Sequence, residues 1–188
     1  MGLFSRLFGD RFTQPPPDEP RLSDAAIMRE LYPFGAQLKT FTQALLARLP
    51  EKERARLVRR VSRYYNLGED PVTALVSGLL DAEEGQLLNN LVLMAVDVHG
   101  FDDFKYLALK LVEASGIDQV YAYKLEETTS LMQVLIDFDQ WLTGFGKRFL
   151  HVDTGGADYV GCIIEQDCVT NLIVLAKQAG IDARLDPF

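Results

Sequence analysis

The sequence predicts an α+β or α/β protein, in which a helical N-terminal half is followed by a mixed four-stranded sheet with helices, in the order β-α-β-α-β-β-α. Three observations support this fold class. Apolar residues recur at helical spacing up to about residue 80. The run LVLMAVDV at 91–98 has the composition of a buried strand. Two later apolar runs are separated only by residues 154–158, a spacing typical of a β-hairpin.

The first twenty residues differ from the rest of the chain. Residues 1–12 carry apolar side chains near helical spacing, which predicts a short amphipathic segment; these are Leu3, Phe4, Leu7, Phe8 and Phe12. The following residues, TQPPPDEP at 13–20, form a proline-rich linker that no helix can cross. We therefore separate 1–20 from a helical region at 21–85 and an α/β domain at 86–188.

Four helices are expected in the helical region. Ser23 is a good N-cap for the first, and Pro33 interrupts it. Pro50 and Pro71 occupy positions that proline favours at helix starts. The predicted helices span 24–32, 34–49, 50–66 and 71–80.

The α/β domain is expected to alternate strands and helices, joined by right-handed crossovers. Apolar runs predict the strands, and the 3.6-residue period predicts the helices. Gly116 and Gly180 are placed to end two of the helices. The predicted strands are 91–98, 120–124, 149–153 and 159–164, and the predicted helices are 101–115, 128–143 and 167–179.

Charge divides the chain of 188 residues into unlike halves. Residues 1–80 hold 12 Lys and Arg against 9 Asp and Glu, whereas 81–188 hold 7 against 18. The acidic half would repel phosphates, so we expect no nucleic acid partner. The basic helix at 52–63 has three interpretations: a solvated face, docking on the acidic half of the same chain, or contact with nucleic acid, acidic lipid or an acidic protein surface.

Several features indicate a cytoplasmic protein. No apolar run approaches the roughly 20 residues of a spanning helix, and no signal-peptide pattern opens the sequence. The two cysteines, Cys162 and Cys168, suggest a reducing compartment and are expected to be small buried apolar residues.

Two segments of the C-terminal half, MAVDVHGFDDF at 94–104 and FLHVDTGGADYVGCII at 149–164, resemble a small bacterial α/β domain family of unknown function. In that family an apolar strand ends in Asp, and a later strand ends in Asp-Thr-Gly before an Asp-Tyr hairpin. The matching residues here are Asp97, Asp153, Thr154, Gly155, Asp158 and Tyr159. The chain departs from the pattern at Val98-His99, where the family has Trp-Lys. The resemblance implies a fold and a bacterial origin, and no activity.

Both histidines of the chain lie two residues from an aspartate at a predicted strand end. Asp97 pairs with His99 in this way, and His151 with Asp153. If those strands run parallel, the four side chains meet at one edge of the sheet, and Asp158 joins them across the hairpin. One interpretation is that these residues only end strands and cap helices. The other is a divalent metal site that activates a water molecule.

These observations favour a non-catalytic interaction or regulatory module of a bacterial cytoplasm. Its expected partner is an unknown protein, with weak membrane-surface contact through residues 1–12. No cofactor is expected. The alternative is a metal-dependent hydrolase that uses the strand-end cluster of Asp97, His99, His151, Asp153 and Asp158.

Overall fold

The computed structural model describes residues 33–122 and 130–187, together with Ile27 and Glu30. The predicted amphipathic segment and proline-rich linker therefore lie outside the described residues, as does most of the predicted helix 24–32. Ile27 and Glu30 both lie in a helix.

Three helices precede the sheet: α1 (Gly35–Leu45), α2 (Glu51–Asn66) and α3 (Pro71–Leu80). The start of α3 illustrates how the sequence defines these elements. Asp70 is its N-cap, and Asp70 Oδ1 accepts hydrogen bonds from the backbone N–H groups of Val72 (3.0 Å) and Thr73 (3.1 Å). Pro71 follows at the first helical position, where its missing N–H costs nothing. Helices before the sheet are therefore confirmed over the described residues 35–80.

The rest of the described chain forms four strands and three longer helices. The strands are β1 (Leu93–Asp97), β2 (Lys147–Val152), β3 (Asp158–Glu165) and β4 (Ala183–Arg184). The helices are α4 (Phe101–Ala114), α5 (Leu131–Thr143) and α6 (Val169–Gln178). The strand order is β1-β3-β2-β4, and β2 and β3 form the predicted hairpin. An α+β fold with its helices first and a four-stranded sheet is confirmed.

Two details of the predicted sheet are wrong. The sheet is antiparallel rather than mixed, because every pairing between described strands is antiparallel. The predicted strand at 120–124 is not a strand in its described part, 120–122. Val120 is exposed there, and the ring of Tyr121 packs against Phe138 and Trp141. Tyr121 of this segment therefore packs against aromatic rings, and residues 120–122 do not pair with another strand.

The fourth strand is β4, which the sequence did not predict. It pairs with the end of β2 through His151–Arg184 and Val152–Ala183. The predicted order β-α-β-α-β-β-α is replaced, among the described elements after α3, by β1-α4-α5-β2-β3-α6-β4.

The sheet lies between two helical layers. Alternate residues of the strands point to opposite faces. Leu150 and Cys162 belong to one core cluster, together with buried residues of α1, α2, α3 and α6. Phe149 and Ile163 belong to the other, with buried residues of α4 and α5. The helical region thus shares a core with the sheet, and the boundary we place between residues 80 and 90 stays a prediction.

Candidate functional site

Three of the five candidate residues lie at one edge of the sheet. Strands β1 and β2 both pair antiparallel with β3, which lies between them, so they run in the same direction. Their carboxyl ends therefore meet at the edge where β3 begins. Asp97 is the direct register partner of Asp158, and Asp153 follows the last residue of β2. The sequence analysis expected Asp97, His99, His151 and Asp153 to meet if their strands ran parallel; β1 and β2 do run in the same direction, with β3 between them.

Two of these aspartates stabilise the turns that follow their strands. Asp97 Oδ1 accepts a hydrogen bond from the backbone N–H of His99 at 2.8 Å. Asp153 Oδ1 accepts one from the N–H of Gly155 at 2.7 Å. Gly155 has φ +68°, a conformation that glycine adopts readily. These bonds are Asx-turn contacts, so the interpretation of Asp97 and Asp153 as strand-ending residues has a direct structural basis.

The two histidines occupy unlike surroundings. His99 follows β1 and is exposed. His151 lies within β2 and is 1% exposed. By alternation its imidazole shares the sheet face of Phe149, whose ring it meets edge-on at a centroid distance of 4.8 Å.

The buried imidazole of His151 is incompletely hydrogen-bonded. Within the described part of the chain, its Nε2 atom has no hydrogen-bond partner. Burial lowers the pKa of His151 to about 4, because a charged imidazole would lose its hydration there. The nearby Asp139 raises the pKa and Arg184 lowers it, both by smaller amounts. The ring is therefore neutral at physiological pH.

A cavity of about 110 Å³ opens at the same edge. Alternation places two of its lining residues, His151 and Tyr159, on one face of the sheet, and Val98 continues β1 beside them. The β2–β3 hairpin forms the rest of the wall, including Asp153, Thr154, Gly156 and Asp158. Tyr159 and Val98 were not among the predicted site residues, and the alternation of β1 and β3 is the signal that could have found them.

The described residues do not form the metal site that the alternative interpretation requires. Among 33–122 and 130–187, no group of three or more His, Cys, Asp or Glu side chains could hold a metal ion. The three carboxylates share the edge of the sheet, but the exposed His99 and the buried His151 do not complete a ligand set with them.

The basic helix α2 binds the start of the acidic half. Arg60 forms an ion pair with Asp81 at 3.4 Å and another with Glu84. Arg56 pairs with Glu53 of its own helix at 2.6 Å and donates to the carbonyl of Gly85 at 2.7 Å. Arg56 and Arg60 therefore dock on the acidic half of the same chain, which is one of the three interpretations of this helix.

Neither cysteine is arranged as a reactive thiol. Cys162 is buried, and burial raises its pKa to about 12. Cys168 is exposed, which corrects the expectation that both would be buried, and its hydrogen bond with Asp167 raises its pKa. Both thiols are therefore protonated at neutral pH, whereas a nucleophilic cysteine needs the thiolate.

Among the described residues, no helix combines the length and apolarity that crossing a bilayer requires. Comparison with known proteins adds no family to this picture: no protein-family model matches the sequence, and neither a curated protein nor a solved structure matches it.

Proposed function

We propose that this protein is a non-catalytic interaction or regulatory module of a bacterial cytoplasm, and that the outer face of α5 contacts its protein partner. The observation that carries the proposal is an apolar pair on that face. Met132 and Ile136 are 40% and 43% exposed. They lie one helical turn apart, so their side chains are neighbours on the helix surface.

The opposite face of α5 has a separate role. It buries Leu131, Val134, Leu135, Phe138 and Leu142 in the core. Met132 and Ile136 are not part of that buried set. Methionine is among the residue types enriched at protein interfaces, and this supports a contact surface at the exposed pair.

Two polar side chains lie beside this pair, as in the polar rim of an interface. Gln133 Nε2 donates a hydrogen bond to Asp137 Oδ1 at 3.0 Å on the same exposed face. A partner would desolvate two apolar side chains inside a small polar border. We therefore expect a weak and reversible contact rather than a permanent assembly.

A capture experiment with a matched control tests the proposal. The full chain, its Ile136→Glu variant and its Gln140→Glu variant are each used to capture proteins from a bacterial lysate. Both substitutions add one negative charge to an exposed position of α5, but only the first alters the apolar pair. We expect a protein that is captured by the wild type and by Gln140→Glu and is lost with Ile136→Glu. Equal capture by all three, or capture of nothing by the wild type, would overturn the proposal.

We also propose a weak contact with the membrane surface through residues 1–12. The support is their composition, five large apolar residues with Arg6 and Arg11 between them. No observation of the described residues favours the metal-dependent hydrolase.

A further inference from the structure

We propose that the exposed face of α2 contacts an anionic membrane surface. Its contact residues are a basic stripe and a leucine at the end of that stripe: Lys52, Arg59, Arg63 and Leu67. This surface is separate from the apolar face of α5, and it does not depend on the membrane contact proposed for residues 1–12.

The three basic residues lie on one side of α2. Lys52 and Arg59 are seven residues apart and Arg63 follows four residues later, spacings that bring side chains to the same face of a helix. All three are exposed. The other side of the helix buries Leu57 and Val61 in the core, so packing holds the basic stripe toward solvent.

The basic stripe differs in its charge pairing from the two arginines beside it. Arg56 and Arg60 form ion pairs with carboxylates. Over residues 33–122 and 130–187, no carboxylate lies within ion-pair distance of Lys52, Arg59 or Arg63. Three unpaired positive charges on one helix face fit a negatively charged partner.

Acidic side chains border one end of the stripe. Glu83 and Glu84 line a cavity with Arg63, whereas Lys52 and Arg59 do not line it. Arg59, in the middle of the stripe and away from that cavity, is therefore the residue to test.

The exposed leucine favours a lipid surface over an acidic polypeptide. Leu67 directly follows α2, four residues after Arg63, and is 66% exposed. Basic side chains together with a large apolar side chain are typical of helices that lie on a bilayer. The basic side chains then meet the anionic headgroups, and the leucine side chain enters the boundary of the acyl chains.

The residues before 33 join the described chain at the same end of α2. The backbone N–H of Phe34 donates a hydrogen bond at 3.0 Å to Tyr65 Oη, in the last turn of the helix. Residues 1–12 are therefore tethered near the end of the basic stripe. When two linked segments bind the same surface, binding of one raises the effective concentration of the other.

Co-sedimentation of the full chain with vesicles tests the proposal. The probes are vesicles of phosphatidylglycerol and phosphatidylcholine, with pure phosphatidylcholine vesicles as the neutral control. Arg59→Gln removes one charge of the stripe, and we expect it to weaken binding to the anionic vesicles about fivefold, as for one basic residue near an anionic surface. Arg59→Lys retains the charge and should bind as the wild type does.

Lys105→Gln is the matched control, because it removes an exposed charge from α4, which covers the opposite face of the sheet. We expect it to leave vesicle binding unchanged. Equal weakening by Arg59→Gln and Lys105→Gln, equal binding to both kinds of vesicle, or no binding by the wild type would overturn the proposal.

Two further variants assign the contact. Leu67→Ser should weaken binding to the anionic vesicles. Vesicle binding that Leu67→Ser leaves unchanged, together with capture of poly-L-glutamate that Arg59→Gln abolishes, would assign the stripe to an acidic polypeptide and overturn the proposal. Phe8→Ser tests the contact of residues 1–12 by itself. Binding weakened by Phe8→Ser but not by Arg59→Gln would overturn the role of α2 alone, and the reverse would overturn the contact of residues 1–12 alone.

Discussion

The aromatic ring of Phe149 on β2 lies directly over Gly161 of β3. A Cβ atom at position 161 would overlap the Phe149 ring and would lie 2.9 Å from the carbonyl oxygen of Leu150. Phe149 is 1% exposed and belongs to the core between the sheet and α5. The close approach of ring and backbone therefore depends on the missing side chain at Gly161.

We predict that Gly161→Ala lowers the free energy of unfolding by about 1–3 kcal/mol, the usual cost of overpacking a core. Urea denaturation measures the change. Gly156→Ala is the matched control, because its added Cβ would meet only Thr154 Oγ1 at 3.4 Å. Equal effects of the two substitutions would show that the approach of Phe149 does not require glycine.

Asp139 connects α5 to the start of β2. Its carboxylate accepts hydrogen bonds from Arg148 Nη2 and from the backbone N–H of Phe149, both at 2.6 Å. We predict that Asp139→Ala lowers the free energy of unfolding by about 1–3 kcal/mol, because it leaves a partly buried guanidinium and a backbone N–H unpaired. Asp137→Ala, on the exposed face of the same helix, should change it by less than about 0.5 kcal/mol. Denaturant unfolding of both variants provides the comparison.

Stability should fall as the pH drops from about 6.5 to about 4. His151 has a folded-state pKa of about 4 against an ordinary value of 6.5, so the unfolded chain binds a proton in this range and the folded chain does not. The contribution of neutral His151 to the free energy of unfolding is fully present above about pH 6.5. Up to about 3 kcal/mol of that free energy is lost by pH 4. Urea midpoints between pH 5 and 6.5, where fewer carboxylates titrate, measure the slope.

The two histidines supply the control for this pH dependence. His151→Asn should flatten the slope between pH 5 and 6.5, whereas His99→Asn, at an exposed position, should leave it as in the wild type. A wild-type slope that survives in His151→Asn would assign the pH dependence to other groups.

We predict that limited proteolysis cuts the chain between residues 80 and 90, where we place the domain boundary. Residues 82–84 and 87–89 are exposed there. We expect cleavage in this stretch to leave the two fragments associated, because Phe41 and Leu57 share a core cluster with Leu150 and Cys162. Gel filtration of the cleaved protein, compared with a denaturing gel, checks this. Separation of the fragments under native conditions would show that each side of the boundary is an independent domain.

Residues 1–12 are predicted to bind anionic vesicles weakly and in a salt-sensitive way. The free energy gained by burying their apolar side chains is nearly cancelled by the free-energy cost of ordering a dozen residues. Arg6 and Arg11 then add about 1 kcal/mol each near an anionic surface. Vesicle co-sedimentation of the full chain and of a chain beginning at Arg21 measures the contribution. Equal pelleting of the two would contradict the prediction.

The local sequence pattern was enough to predict most of the helices and strands. The helices at 50–66 and 71–80 have prolines at their starts and apolar stripes, and both are present within a residue of the predicted limits. The β2–β3 hairpin followed from the short polar stretch between two apolar runs. Strand β4 could not be found in this way, because two residues have no periodicity and form a strand only where the edge of β2 is available.

The sequence by itself determined that Asp97 and Asp153 end strands and that acidic residues collect near the hairpin. Only the tertiary structure decided that β3 lies between β1 and β2, which brings both strand ends to the first residues of β3, with Asp97 opposite Asp158 and Val152 opposite Val160. It also decided that His151 is buried beside Phe149 while His99 is exposed. The physical reason is that strand period places a side chain on one face of a sheet, whereas its burial, hydrogen bonding and pKa depend on which distant helices cover that face.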